Sequence, residues 1–255
     1  RTPNLLVCSF GPRVRRPGRP RAGGRAMRLA IADPPYPPIF SERFDLAGGA
    51  SRVTVRSRAT RWYGESATGS VETFAADHHP DAAVWDDLDE HRKLLAHMVR
   101  EFDGWAIATT PDGLGAYHPL PISARVMAWE RPNAMPGGSR LISRWEPVIV
   151  FPPVGRRARA EGDLVSDVLS APGPRRGFAG AKPAEWTRWV LAALGYDPAT
   201  DELVDVFPGS GAVSAAADGM LSFAAAAAAD GAPDHTIRGR QGSPDIEIAK
   251  PAGSA

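Results

Sequence analysis

Arg28-Leu29-Ala30-Ile31-Ala32-Asp33-Pro34-Pro35-Tyr36 is the stretch from which the architecture can be built outward. Its first five residues are mostly apolar and short, the composition of a strand buried on both faces. The strand must stop at Asp33, because two successive prolines lack the N–H groups that would continue a hydrogen-bonded ladder. A carboxylate and an aromatic ring are therefore expected at the carboxyl end of a buried strand, which is where open α/β sheets bind their ligands.

Downstream, the spacing of Leu88, Leu95, Met98 and Phe102 predicts a helix over 86–102 with one apolar face. Asp103-Gly104 ends it, and Trp105-Ala106-Ile107-Ala108-Thr109 repeats the buried-strand pattern until Pro111-Asp112-Gly113. Strand, helix and strand in that order mark a parallel sheet. Two more strands, 125–130 and 146–151, are close enough in sequence to pair antiparallel. Pro183 suits the first position of a helix that reaches Leu194 and stops at Gly195, with Trp186, Trp189, Val190 and Leu194 as its apolar stripe. A strand over 202–207 then enters Pro208-Gly209-Ser210-Gly211 and a last helix from about Ala212. Residues 37–80 and 152–180 read as loops, with room for a short edge strand at Val53 and Val55.

A chain of 255 residues with 43% hydrophobic and 23% charged residues has the composition of an ordinary globular protein. Its net charge of +1 conceals an asymmetry: residues 1–26 carry seven arginines and no acidic residue, whereas 23 basic residues face 29 acidic ones from Met27 onward. Such a basic segment could touch nucleic acid. It is also rich in Pro and Gly and ends directly before the first credible strand, so residues 1–26 are expected to be disordered and to lie outside the fold. Residues 27–223 are expected to form one domain, and 224–255, which lack apolar periodicity, a disordered tail. The single cysteine, Cys8, allows neither an internal disulfide nor a zinc site. No run of about 18 apolar residues exists, so no membrane span is expected. These features together lead us to expect a cytoplasmic protein.

The chemistry that Asp33-Pro34-Pro35-Tyr36 could perform follows from the electronic structure of an amino group on a nucleobase. The lone pair of that nitrogen is delocalised into the ring, so the nitrogen is a poor nucleophile. Hydrogen-bond acceptors aimed at both N–H bonds draw it toward a tetrahedral geometry and free the lone pair. A carboxylate supplies one acceptor and a backbone carbonyl, held rigid by the proline that follows it, supplies the other. An aromatic ring stacks on the base once it has left the duplex. A second constellation, Asp205-Val206-Phe207-Pro208-Gly209-Ser210-Gly211, carries a strand into a glycine-rich turn and a helix N-terminus. There the backbone can approach a ligand closely. No Gly-Lys-Ser/Thr sequence is present, which disfavours a phosphate-gripping loop.

Together these residues resemble the DNA amino-methyltransferases that use S-adenosylmethionine. Asp33-Pro34-Pro35-Tyr36 is similar to their catalytic motif, and 205–211 to their cofactor motif Asp-Pro-Phe-x-Gly-Ser-Gly. Lys182-Pro183 is similar to the Lys-Pro that opens the helix before that strand, and Trp145-Glu146-Pro147 to a Trp-Glu-Pro strand. The order, catalytic motif first, is that of the circularly permuted members. The resemblance spans about residues 28–215. It implies an α/β, Rossmann-like, circularly permuted fold with a reduced sheet, and methyl transfer to adenine N6 in double-stranded DNA. It also implies roles. Asp33 and the Pro34 carbonyl, with Pro35 as its brace, would accept the amine hydrogens, and Tyr36 would stack on the base. Phe207, Gly209, Ser210 and Gly211 would line the cofactor pocket, with Asp205 and Lys182 at its edge. The chain departs from the pattern at Val206, where the family has proline, and at Ala212-Val213, where it has threonine. No strand is legible after residue 223 to supply the acidic residue that holds the cofactor ribose.

Sequence reading of DNA falls to two arginine-rich segments. The first holds Arg52, Arg56, Arg58 and Arg61, the second Arg156, Arg157, Arg159, Arg175 and Arg176. Trp62-Tyr63, inside the first, is the better base-stacking pair. Asp77-His78-His79 with Asp81, and His91 with His97, match no metal-ligand spacing, so no metal is expected. Two other readings stand beside the main one: an RNA amino-methyltransferase, and a nucleic-acid-binding module that has lost the cofactor.

Overall fold

The computed structural model describes residues 26–44, 51–63, 74–75, 80–136, 140–157, 164–174, 177–178, 180–209 and 211–219. In chain order the strands are β1 (Arg28–Ala32), β2 (Ile39–Phe44), β3 (Ser51–Arg56), β4 (Phe74–Ala75), β5 (Gly104–Ala108), β6 (Arg125–Glu130), β7 (Trp145–Phe151), β8 (Val168–Ser170), β9 (Gly177–Phe178) and β10 (Glu202–Asp205). The helices are α1 (Ala59–Tyr63), α2 (Leu88–Glu101) and α3 (Ala184–Leu194), and residues 212–219 are also helical.

Six strands form the central sheet in the order β10-β1-β5-β7-β6-β8. β1 pairs parallel with β10 on one side and with β5 on the other. β7 alone runs against the rest, antiparallel to β5 and β6, while β8 joins the far edge parallel to β6. The fold is therefore α/β with a mixed, mostly parallel central sheet. Among the described residues no helix is long and apolar enough to cross a membrane.

Alternation along the strands divides the core between the two sheet faces. Leu29 and Ile31 of β1, Ala106 and Ala108 of β5, and Val148 and Val150 of β7 turn to one face, where α3 lays Trp186, Val190, Leu191 and Leu194 over them. Ala30, Ala32, Trp105 and Ile107 turn to the other, against Leu94, Leu95 and Met98 of α2. Leu29, Ile31, Ile107 and Leu191 are wholly buried, and each contributes about 1.5–3 kcal/mol by leaving water. Small alanines on β1 and β5 let the helices come close, so the sheet is covered on both sides as a parallel sheet requires.

Local signals set the ends of the two long helices. Asp87 caps α2, its side chain accepting the Asp89 N–H at 2.9 Å. α3 begins one residue after Pro183, which is its cap rather than its first turn. It ends at Gly195 in the left-handed conformation, with the Tyr196 N–H bonded back to the Leu191 carbonyl.

Three expectations are corrected. The loop reading of 37–80 misses the hairpin of β2 and β3, paired from Ile39–Arg56 to Phe44–Ser51, and the short α1. The loop reading of 152–180 misses β8, a three-residue strand held to β6 at Ala128, Trp129 and Glu130. The strand expected over 202–207 ends at Asp205, although the Val206 N–H still bonds the Ile31 carbonyl at 2.9 Å.

Candidate functional site

Two strand ends meet on one side of the sheet. Register pairs Ile31 with Asp205, so the turns leaving β1 and β10 start side by side. The turn leaving β5, which contains Thr109, Thr110 and Asp112, lies next along the same edge. The tetrapeptide Asp33-Pro34-Pro35-Tyr36 thus emerges between two other turns, at the carboxyl ends of three adjacent parallel strands.

A cavity of about 260 Å³ opens here. Asp33, Pro34, Tyr36 and Lys182 line its floor side, and Arg58, Trp62 and Tyr63 come in from α1 and its approach. Asp112, Arg131, Trp145 and Glu146 also contribute to its wall. Pro35 is not among the lining residues.

Lys182 organises the charged side of the cavity. Its Nζ donates to Asp33 Oδ2 at 2.7 Å and Oδ1 at 2.9 Å, to the Tyr36 hydroxyl at 2.8 Å and to the Gly180 carbonyl at 3.0 Å. It also lies 5.3 Å from the centre of the Tyr36 ring, with Trp129 and Trp186 at 5.9 and 5.8 Å. The Tyr36 hydroxyl in turn donates to Glu146 Oε2 at 2.9 Å, and Glu146 Oε1 meets Arg131 at 2.8 Å. Two carboxylates and two cations, separated by up to 149 positions in the chain, therefore form one connected group. Burying a charge costs several kcal/mol unless it is paired and hydrogen-bonded, and here the charges balance.

These neighbours shift the titrating groups. Burial pushes the Asp33 carboxyl above its ordinary range, and the charge and hydrogen bonds of Lys182 oppose that rise. Burial, with the Asp33 and Glu146 charges, pushes the Tyr36 hydroxyl well up, so Tyr36 remains a protonated donor. Tyr63 is pushed up by the same causes.

The second constellation has a different character. Burial raises the Asp205 carboxyl to about 6, relieved in part by the Phe207 N–H and worsened by the charge of Asp33. Its Oδ1 accepts that N–H at 3.3 Å, while Oδ2 is buried without a partner. Gly209 and Gly211 have φ of 40° and 73°, the left-handed region that side chains other than glycine adopt at a cost. A Cβ added at Gly211 would meet nothing within 4 Å, so the turn borders open space. Phe207 is packed edge-on against Trp85, 5.0 Å between ring centres. Ser210 lies outside the described residues.

The sequence-derived arginines separate into distinct groups. Arg58 is not free: it donates to the Pro37 carbonyl at 2.9 Å and to Thr110 Oγ1 at 3.1 Å, and it grips both oxygens of Asp112. It straps the entry to α1 across the turns that follow β1 and β5. Arg56 and Arg61 are exposed, the latter stacked on Trp62, and the Arg52 side chain lies outside the described part. Arg156 pairs with Asp201, whose other contacts include the Met27 N–H, at the opposite end of β1. Arg157 covers Phe151. Arg159, Arg175 and Arg176, like Asp77-His78-His79, lie outside the described residues.

Lys182, expected at the cofactor edge, is bonded to Asp33. Glu146, Arg131 and Asp112 were not legible as site residues. Glu146 was singled out only within Trp145-Glu146-Pro147, which resembles a Trp-Glu-Pro strand, and its pairing with Tyr36, 110 positions away, is what brings it to the site. Trp62-Tyr63 carried a signal, an aromatic pair inside an arginine-rich run, and both residues line the cavity. His91 is a buried core histidine, bonded through Nε2 to the Trp85 carbonyl and through Nδ1 to the Tyr117 hydroxyl. No cluster of three or more His, Cys, Asp or Glu residues suited to a metal occurs among the described residues. The chain matches no protein-family model and shows no significant match to a curated protein, so the site is read from its own geometry.

Proposed function

We propose that the protein is an S-adenosylmethionine-dependent methyltransferase of Rossmann-like, circularly permuted form, acting on the exocyclic amine of adenine in double-stranded DNA. The observation that carries the reading is the cavity at the end of β1, where Asp33, Pro34 and Tyr36 share one space with Trp62 and Tyr63. A flipped base needs acceptors for its amine and aromatic faces for its ring, and this wall offers both.

In this reading Asp33 accepts one amine hydrogen and the Pro34 carbonyl the other. The Asp33 side chain is 27% exposed, so part of it remains open to the cavity while Lys182 holds the rest. As the nitrogen bonds to the methyl carbon, the sulfur–carbon bond breaks and the nitrogen must shed a proton. A carboxylate raised by burial is suited to receive it before solvent does. Everything else the residues do is positioning, with no covalent intermediate.

The turn after β10 fits a sulfonium cofactor. Among the described residues Asp205 is a buried carboxylate with one unpartnered oxygen and no cation beside it, and Gly211 borders open space. When bound, S-adenosylmethionine would supply the electrophilic methyl group. Asp205 would offset its positive charge, and Phe207, Gly209, Ser210 and Gly211 would line it. The exposed Arg56, on the β2–β3 ribbon, and Arg61 would meet DNA phosphates, as would Arg52 on the same ribbon, while Arg58 shapes the cavity.

The test is transfer of labelled methyl from S-adenosylmethionine to duplex DNA. The wild-type protein should label adenine, and Asp33→Ala should lower the rate by about 10³-fold or more while still binding S-adenosylhomocysteine. Label in cytosine, or in structured RNA but not duplex DNA, would overturn the substrate. Absence of S-adenosylhomocysteine binding would leave a nucleic-acid-binding module instead.

A further inference from the structure

We infer that Glu146 is a positioning residue for the base platform: anchored by Arg131, its carboxylate holds the Tyr36 hydroxyl and so sets the plane of the ring on which the target base stacks. This rests on the proposed base-flipping site and adds to it a residue that touches neither base nor cofactor.

Glu146 stands in β7, a strand inside the sheet, and the three residues Val148, Ile149 and Val150 that follow Pro147 are wholly or almost wholly buried and apolar. A carboxylate 8% exposed at such a place needs a purpose that outweighs its desolvation. Its two oxygens are divided between two tasks. Oε1 faces Arg131 at 2.8 Å, and Oε2 accepts from the Tyr36 hydroxyl at 2.9 Å. Simple compensation of Lys182 does not account for this, because Lys182 lies 3.8 Å from Glu146 but is already held by Asp33 at 2.7 Å.

The consequence for Tyr36 is geometric. Pro34 and Pro35 fix the backbone that leads to it, but a ring can still rotate about its side-chain torsions. One hydrogen bond received from Lys182 and one given to Glu146 act from two directions on the same oxygen. That fixes the far end of the ring as the prolines fix the near end. A ring held at both ends presents one stacking face without further loss of freedom when the base arrives.

The experiment compares Glu146→Gln, Tyr36→Phe and the double variant with the wild type in full-length protein. Circular dichroism and melting confirm that each is folded. Gln keeps the shape of the side chain and removes its charge, whereas alanine at this place would leave Arg131 without its partner. Three quantities are read: kcat, the KM for duplex and for S-adenosylmethionine separately, and the fluorescence of 2-aminopurine placed at the target base, which reports unstacking without any methyl transfer. Each single variant should lower kcat/KM for duplex by about tenfold or more, with the KM for S-adenosylmethionine unchanged. The double variant should be no worse than the worse single one, because both variants act on the same Tyr36–Glu146 contact, Gln by losing the charge that Arg131 anchors and Phe by losing the hydroxyl.

Glu146→Gln that behaves as wild type while Tyr36→Phe is impaired would overturn the inference and leave the proposed function standing. So would losses that multiply in the double variant, or a matching rise in the KM for S-adenosylmethionine. If the wild type methylates nothing but its 2-aminopurine signal is lost in Glu146→Gln, the positioning role stands and the proposed chemistry falls. If the wild type gives neither methylation nor a fluorescence change, both fall together.

Discussion

Asp205→Asn should make the protein more stable at neutral pH and, on the proposed function, worse at binding S-adenosylmethionine. Burial lifts the Asp205 carboxyl from an ordinary 3.8 to about 6, and no cation among the described residues sits beside it. A carboxyl with a raised value binds its proton more tightly in the folded state than in the unfolded chain. The folded state therefore gains stability as pH falls from about 6 toward 3.8, and above about 6 it bears the full burden of the buried charge. A rise of roughly two units at about 1.4 kcal/mol each gives a burden of about 3 kcal/mol. Asn keeps an oxygen for the Phe207 N–H but carries no charge. At pH 8 the variant should therefore melt about 6–12 °C higher than wild type, given the usual response of domains of this size. At pH 4.5, still above the unfolded value of 3.8, the gap should shrink to about a third of that. Differential scanning calorimetry at the two values measures it. S-adenosylhomocysteine has lost the sulfonium charge, so a titration pairing it with S-adenosylmethionine separates charge from shape. Asp205→Asn should weaken the cationic ligand by about tenfold and the neutral one much less. An equal melting gap at both pH values would refute the electrostatic argument. Equal weakening of both ligands would remove Asp205 from the counter-charge role.

Two further variants probe other parts of the structure. Arg58→Ala should raise the KM for duplex several-fold without changing the salt dependence of binding, because Arg58 is tied to Asp112, Thr110 and Pro37; Arg56→Ala and Arg61→Ala should each reduce the salt slope by about one, as phosphate contacts do. Binding isotherms over a salt series distinguish the two, and a slope change at Arg58 equal to that at Arg56 would contradict the strap. Gly104→Ala should destabilise by about 1–3 kcal/mol in denaturant unfolding, since its Cβ would stand 2.5 Å from the Pro153 ring at the start of β5.

The parts of the fold legible in the sequence are those governed by neighbours in the chain. Leu29 to Ala32 and Trp105 to Ala108 announce buried strands because every residue is apolar, and Gly195 marks a helix end by local capping. β8 escapes because Val168-Leu169-Ser170 is too short to show alternation and depends on β6 for its hydrogen bonds. β2, the hairpin partner of the strand legible at Val53 and Val55, escapes for a related reason. Phe40, Val53 and Val55 are more than half exposed, so no buried face imposes a clear pattern on that ribbon. At the site, Asp33 and Tyr36 were legible because the prolines between them are unusual after a strand. Arg131 was not, and Glu146 only as part of the Trp-Glu-Pro segment, because the role of each at the site comes from partners across the fold.

The two carboxylates at the ends of β1 and β10 differ in one respect that orients the whole site. Asp33 is matched by Lys182, which spends two of its hydrogen bonds on that carboxylate. Asp205 has a buried oxygen with no partner at all. A cationic ligand seated against Asp33 would have to compete with a lysine already fixed among three aromatic rings, and would meet its repulsion. Against Asp205 the same ligand would find an uncompensated charge and relieve its desolvation. A neutral ligand with N–H groups has the opposite preference: it needs an acceptor whose charge is already balanced, so that hydrogen bonding and not bulk attraction sets its position. Charge alone thus supports seating the sulfonium beside β10 and the amine beside β1. Adjacent parallel strands are about 4.8 Å apart, so the two sites are neighbours at the scale over which a methyl group must pass.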